Sequence, residues 1–84
     1  MKTDKEQLIN YLRKVQNVQF DLFMSKTIHT NIGIMNTGFY VGVYTYDNDG
    51  RFVSYKAYNF SAYDSPRVNE ATFLDFMDVI NESK

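Results

Sequence analysis

Apolar positions recur along this chain with two different periods, and the points where the period changes mark out its elements. Leu8, Ile9, Leu12 and Val15 fall at helical spacing. Just before them, Thr3-Asp4-Lys5-Glu6 has the form of a capping box, with Thr3 accepting a free backbone N–H and Glu6 reaching back to the cap. A helix over about residues 4–16 is predicted. From Val18 the period becomes two: Val18, Phe20, Leu22 and Met24 share one side, and Gln19, Asp21, Phe23 and Ser25 the other, which predicts a strand. Residues 27–36 fit either one bent strand or two short ones, because Ile28, Ile32 and Ile34 are strand-like while His29-Thr30-Asn31 and Gly33 suit a turn or bulge. Asn36-Thr37-Gly38 then connects to a clear strand from Phe39 to Tyr46.

The next turn sets which aromatic residues share a face. Asp47-Asn48-Asp49-Gly50-Arg51 suits a type I turn closed by a G1 bulge, with Gly50 left-handed and Asp47 opposite Arg51. Counting back from that turn sets Thr45 against Val53, Val43 against Tyr55 and Val41 against Ala57 on one side of the hairpin. The other side pairs Tyr46 with Phe52 and Tyr40 with Tyr58, with Tyr44 and Lys56 beside them. After a connection through Ser61-Ala62-Tyr63-Asp64-Ser65, Ser65 is placed as an N-cap and Pro66 at a first helical position. Phe73, Leu74, Met77 and Ile80, widened by Phe76 and Val79, form the apolar stripe of a second helix, with Asp75, Asp78 and Glu82 on its polar side. Leu12 and Leu74 are expected in the core.

The predicted fold is a single α+β domain over residues 1–84, of order α-β-β-β-α with room for a fourth short strand. It is a two-layer sandwich in which an antiparallel meander sheet carries both helices on one face. Eighty-four residues suffice for one core and not two. No repeat or linker suggests otherwise.

Composition narrows the chemistry. The chain has no Cys and one His, which leaves no disulfide, no thiolate metal site and no cysteine nucleophile, so neither a metal nor a cofactor is expected. His29 has no identifiable catalytic partner, and no serine stands in a nucleophile elbow. Asp47-x-Asp49-Gly50 has the start of a calcium loop, but Tyr58 occupies the twelfth position where a bidentate carboxylate is required. The four glycines lie in predicted strands or turns and none opens a helix, so no phosphate loop is present. These readings point away from an enzyme. No apolar run approaches the ~20 residues that span a bilayer, and residues 1–6 lack an apolar leader segment, so a cytoplasmic protein with no membrane partner is expected.

Charge is sparse, with a net of −1. Lys2, Lys5, Arg13 and Lys14 make the first helix region basic, and Glu70, Asp75, Asp78 and Glu82 make the last one acidic, which reads as the solvated faces of two neighbouring helices. Aromatic density is the outstanding feature: nine of the fourteen Phe and Tyr residues lie between Phe39 and Tyr63. Tyrosine gives large contact area with a polar tip, which suits a surface that is sometimes wet and sometimes covered.

The predicted order resembles that of double-stranded-RNA-binding domains in topology. Where those domains open their last helix with a lysine cluster, this chain has Arg67-Val68-Asn69-Glu70-Ala71-Thr72, so the resemblance does not extend to their function. In size and style the chain resembles small accessory proteins of phages and mobile elements, some of which inhibit nucleic-acid enzymes. The expectation is a non-enzymatic protein-binding module that uses Tyr40, Tyr44, Tyr46, Phe52, Lys56 and Tyr58 to bind another protein or itself as a homodimer. The alternative is a single-stranded nucleic-acid binder stacking bases on the same rings, disfavoured because residues 39–63 hold only Arg51 and Lys56 as cations.

Overall fold

A computed structural model describes residues 2–83. The elements run α1 (Lys5–Asp21), β1 (Ile28–Met35), β2 (Gly38–Tyr46), β3 (Phe52–Ser61) and α2 (Pro66–Ser83). The three strands form one antiparallel sheet in the order β1-β2-β3. The predicted α-β-β-β-α topology is therefore present.

The first helix is longer than its sequence pattern suggested and absorbs the first half of the strand expected from Val18, the rest of which forms the turn after it. Val18 and Leu22 stand three and seven residues beyond Val15, which continues the apolar stripe at helical spacing, and both pack against the core. The alternating set is split accordingly: Phe20 and Met24 lie at 75% and 83% exposure. The cap is also displaced by one residue. Asp4 accepts from the Gln7 N–H and the Gln7 side chain accepts from the Asp4 N–H, so the box is Asp4–Gln7 and not Thr3–Glu6. Thr3 is buried instead, with its N–H and Oγ1 donating to the Asp64 carbonyl at 3.0 and 2.8 Å.

Residues 28–35 form one strand in unbroken register with β2. The following hairpin has the predicted turn: Asp47 N–H bonds the Arg51 carbonyl, Gly50 N–H bonds the Asp47 carbonyl, and Gly50 has a φ of 81°. The Asp47 carboxylate accepts from the Asp49 and Arg51 N–H groups, both at 2.9 Å, which fixes the turn.

Beyond the turn the predicted pairing holds for one step only. Tyr46 faces Phe52, and then the register shifts, so that Thr45 pairs with Ser54, Tyr44 with Tyr55, Val41 with Tyr58 and Phe39 with Phe60. Val53 is the additional residue of a β-bulge, and a one-residue slip reverses the facing of every side chain after it. Tyr58 and Phe60 thereby join Phe39, Val41 and Val43 in the core. The slip has an energetic reason: burying Phe60, stacked on Phe39 at 4.6 Å, is worth about 1.5–3 kcal/mol, and the unslipped register would leave Phe60 outside.

Both helices pack on the side of the sheet that holds Tyr58 and Phe60. Tyr11 of α1 meets Phe60 at 5.6 Å between ring centroids, and Phe76 of α2 meets Tyr58 edge-to-face at 5.8 Å. The helices meet each other through Tyr11 and Lys14: the Tyr11 hydroxyl donates to Glu70, and the Lys14 ammonium lies 5.4 Å from the Phe73 ring centroid. In α2, Phe76 and Ile80 are fully buried, whereas Leu74, expected in the core, is 54% exposed. It stands 100° around the helix from Phe73 and leaves the stripe that Phe73, Phe76, Met77 and Ile80 share.

Candidate functional site

With both helices on one side, the other side of the sheet is left open, and the bulge decides what it displays. Tyr40, Tyr44 and Tyr46 alternate onto it from β2. His29 and Asn31 reach it from β1, paired with Tyr44 and Gly42. From β3 it receives Tyr55, opposite Tyr44, and Phe52, opposite Tyr46. The extra residue at Val53 allows Phe52 and Tyr55 to stand on the same face.

The rings are laid down by glycines. Gly33 pairs with Tyr40 across the β1–β2 ladder, and a Cβ at Gly33 would run into the Tyr40 ring. Gly42 does the same for Tyr55, whose ring and hydroxyl would stand 2.9 Å from an added Cβ. Each tyrosine thus lies over a glycine, Tyr40 over its direct cross-strand partner and Tyr55 diagonally over Gly42, whose own partner on β3 is Ala57, so that the ring covers the gap the glycine leaves in the sheet. Tyr44 and Tyr55 are in contact at 4.5 Å, His29 lies against Tyr46 at 4.8 Å, and Tyr46 meets Phe52 edge-to-face at 6.1 Å. The result is two ring groups on one face, the pair Tyr44–Tyr55 and the row His29–Tyr46–Phe52, with Tyr40 lying on Gly33. Phe52 and Tyr55 are exposed, at 60% and 45%, as is His29.

Four of the six residues predicted for the binding face stand together on it: Tyr40, Tyr44, Tyr46 and Phe52. Lys56 and Tyr58 do not. Both lie on the helix side of β3, where the Lys56 ammonium sits 5.2 Å from the Tyr58 ring centroid. Tyr58 is 3% exposed, and its hydroxyl is buried without a hydrogen-bond partner among the described residues. Burial, with Asp75 and Glu82 nearby, pushes the Tyr58 phenol above its ordinary value. Tyr55 and His29 are the members that counting from the turn did not find. Tyr55 was hidden by the bulge, whereas the i, i+2 spacing of Tyr44 and Tyr46 opposite a strand beginning Ile28-His29 was the available signal for His29.

With Lys56 on the helix side, the open face is composed of aromatic rings, the His29 imidazole, amides and Met35, and none of its strand positions carries Asp, Glu, Lys or Arg. Such a surface offers stacking area and phenol hydroxyls. It offers no cluster of cations for a phosphate chain.

The class defined by this architecture is a two-layer α+β sandwich with one aromatic sheet face left uncovered. No family model, curated protein sequence or solved structure matches the chain. Among the described residues, no helix is long and apolar enough to cross a membrane.

Proposed function

We propose that this chain is a non-enzymatic cytoplasmic module that binds another protein through its open sheet face, with Tyr40, Tyr44, Tyr46, Phe52 and Tyr55 as the contact residues and His29 at the border. The observation that carries this reading is the joint character of the face: it is aromatic, uncharged and left bare by both helices. Grouped large rings are the residues that anchor protein interfaces, because they bury much area while losing few rotamers. Large apolar rings gathered on one uncovered face are the kind of exposed patch that usually has a partner. Nucleic acid is the less favoured occupant, since its backbone requires cations that the face lacks.

The test is the paired substitution Tyr44→Ser and Tyr55→Ser, chosen because both rings touch each other and neither belongs to the core. The variant should fold with the wild-type circular dichroism spectrum. Proteins captured by the wild type and confirmed as direct partners with purified components should no longer bind it. Retention of those partners by the variant, or salt-sensitive binding of single-stranded oligonucleotides that the double substitution abolishes, would overturn the protein-binding reading.

A further inference from the structure

We infer that two copies of this chain join along β1, edge to edge and antiparallel, into a continuous six-stranded sheet. The inference stands on the backbone and is independent of the aromatic face. β1 is an outer strand of the β1-β2-β3 sheet. The Tyr46 N–H bonds the Thr27 carbonyl, so Thr27 and Tyr46 form a hydrogen-bonded pair of the ladder and every second residue from Ile28 turns its N–H and C=O away from β2. The outward residues are Ile28, Thr30, Ile32 and Ile34. Two of these are already engaged: Ile28 N–H donates to Ser25 Oγ, and the Thr30 carbonyl accepts from Gln19 Nε2. Ile32 and Ile34 are left with outward groups that no described side chain bonds.

Exposed edges are ordinarily blunted by a charge, a proline or a bulge. β1, Ile-His-Thr-Asn-Ile-Gly-Ile-Met, has no charged residue and no proline, and its register with β2 is unbroken. The other edge is different. β3 begins at the bulge, carries Lys56, and has the backbone of Ser61 engaged by the Asn69 side chain. The depression beside β3 is polar, with Lys56, Asn59, Thr72 and Asp75, whereas at the free end of β1 a groove of about 440 Å³ between α1 and the sheet is walled by Leu8, Ile9, Leu12, Phe39, Ile34 and Met35. Ile34 is 69% exposed at its rim.

A second copy fits this edge because the free stretch is self-complementary. A two-fold axis through Gly33, perpendicular to the sheet, sets Ile32 of each copy opposite Ile34 of the other. Each of these two pairs exchanges two backbone hydrogen bonds, and Asn31 of each copy stands opposite Met35 of the other. All four isoleucines then lie on the helix side, where they close the groove, and Gly33 meets Gly33 at the axis with no side chain between the strands. Both helix layers stay on the same side of the sheet, so the two aromatic faces become one surface.

The absence of cysteine in the chain makes a direct test simple. The double variant Asn31→Cys with Met35→Cys should form a disulfide-linked dimer under mild oxidation, and neither single variant should, because only the 31-to-35 pairing brings the sulfurs within bonding distance. Sedimentation of the wild type should show a dimer. Ile34→Pro removes an outward N–H without touching the β1–β2 ladder, and should raise the dissociation constant about tenfold or more. The Ile32 and Ile34 amides should exchange slowly at high protein concentration and rapidly on dilution. A monomeric wild type at several hundred micromolar, a ladder of larger oligomers in place of a closed dimer, or a dimer that survives Ile34→Pro and is lost with Tyr44→Ser and Tyr55→Ser would overturn the inference. Loss of partner capture with an intact β1 dimer would bear on the face alone.

Discussion

Removing the amide of Asn69 should destabilise this protein more than removing most of its exposed apolar residues. Asn69 is fully buried in the first turns of α2. Its Nδ2 donates to Thr3 Oγ1 at 2.7 Å and to the Ser61 carbonyl at 2.9 Å, while its Oδ1 accepts the Ser61 N–H at 3.2 Å. One side chain therefore ties the second helix to the end of β3 and to the segment that precedes α1. Loss of three hydrogen bonds at about 1 kcal/mol each, with the partly buried Ser61 N–H left unpaired while its carbonyl keeps the Asp64 N–H, gives an expected cost of about 3–4 kcal/mol for Asn69→Ala. A domain of this size has about 4–12 kcal/mol in total. The cost therefore removes a large share of it, and the midpoint of thermal unfolding should fall by about 12 °C or more. Asn69→Leu separates polarity from volume, because it fills the space yet bonds nothing. Its loss should approach that of Asn69→Ala. Asn69→Asp keeps the acceptor for Ser61 N–H but turns an ionised oxygen toward the Ser61 carbonyl and Thr3. Burial should raise the pKa of that carboxyl above its unfolded value, so the variant should be least stable at neutral pH and recover relative to wild type as pH falls through the raised value. Urea titrations followed by circular dichroism at pH 4 and pH 7 provide the measurement. An Asn69→Leu variant within about 0.5 kcal/mol of wild type would refute the argument, since the hydrogen bonds would then contribute little beyond filling space.

Two further outcomes follow from the same packing. Tyr11 is pushed up to about 12 by its burial and by the hydrogen bond and negative charge of Glu70. A raised folded-state value means that its contribution is complete below the unfolded value near 10 and is lost as pH climbs toward 12. Tyr11→Phe should thus flatten part of the decline in stability between those pH values, leaving the part due to Tyr58. Thermal melts at closely spaced alkaline pH check this, and an unchanged decline counts against the Tyr11–Glu70 coupling. In α2, Phe76→Ala should cost about 3–5 kcal/mol and Leu74→Ala less than about 1, since the first ring is fully buried against Tyr58 and the second side chain is half in water. Denaturant midpoints that ranked the two equally would mean that α2 is rotated from the orientation described.

What the sequence by itself determined was local. Helical spacing through Leu8, Leu12 and Val15, the turn residues Asp47 and Gly50, and Ser65-Pro66 before the second helix each act over a few neighbouring positions, and the order α-β-β-β-α follows from them. Even so, the end of α1 was misread, because Val18, Phe20, Leu22 and Met24 satisfy a period of two while Val18 and Leu22 also continue the helical stripe. The core decided between them by packing Val18 and Leu22 against itself and leaving Phe20 and Met24 exposed. Asn69 had a legible signature, for it stands four, seven and eleven residues before Phe73, Phe76 and Ile80 and so occupies the apolar side of its helix. The composition of the open face depended on tertiary structure. The bulge at Val53 is not written in the turn, and it exists because Tyr58 and Phe60 gain more from burial under the helices than the ladder loses in one irregular step. That single slip moved Tyr58 and Lys56 to the helix side, brought Tyr55 to the open face, and left a surface of rings without charge.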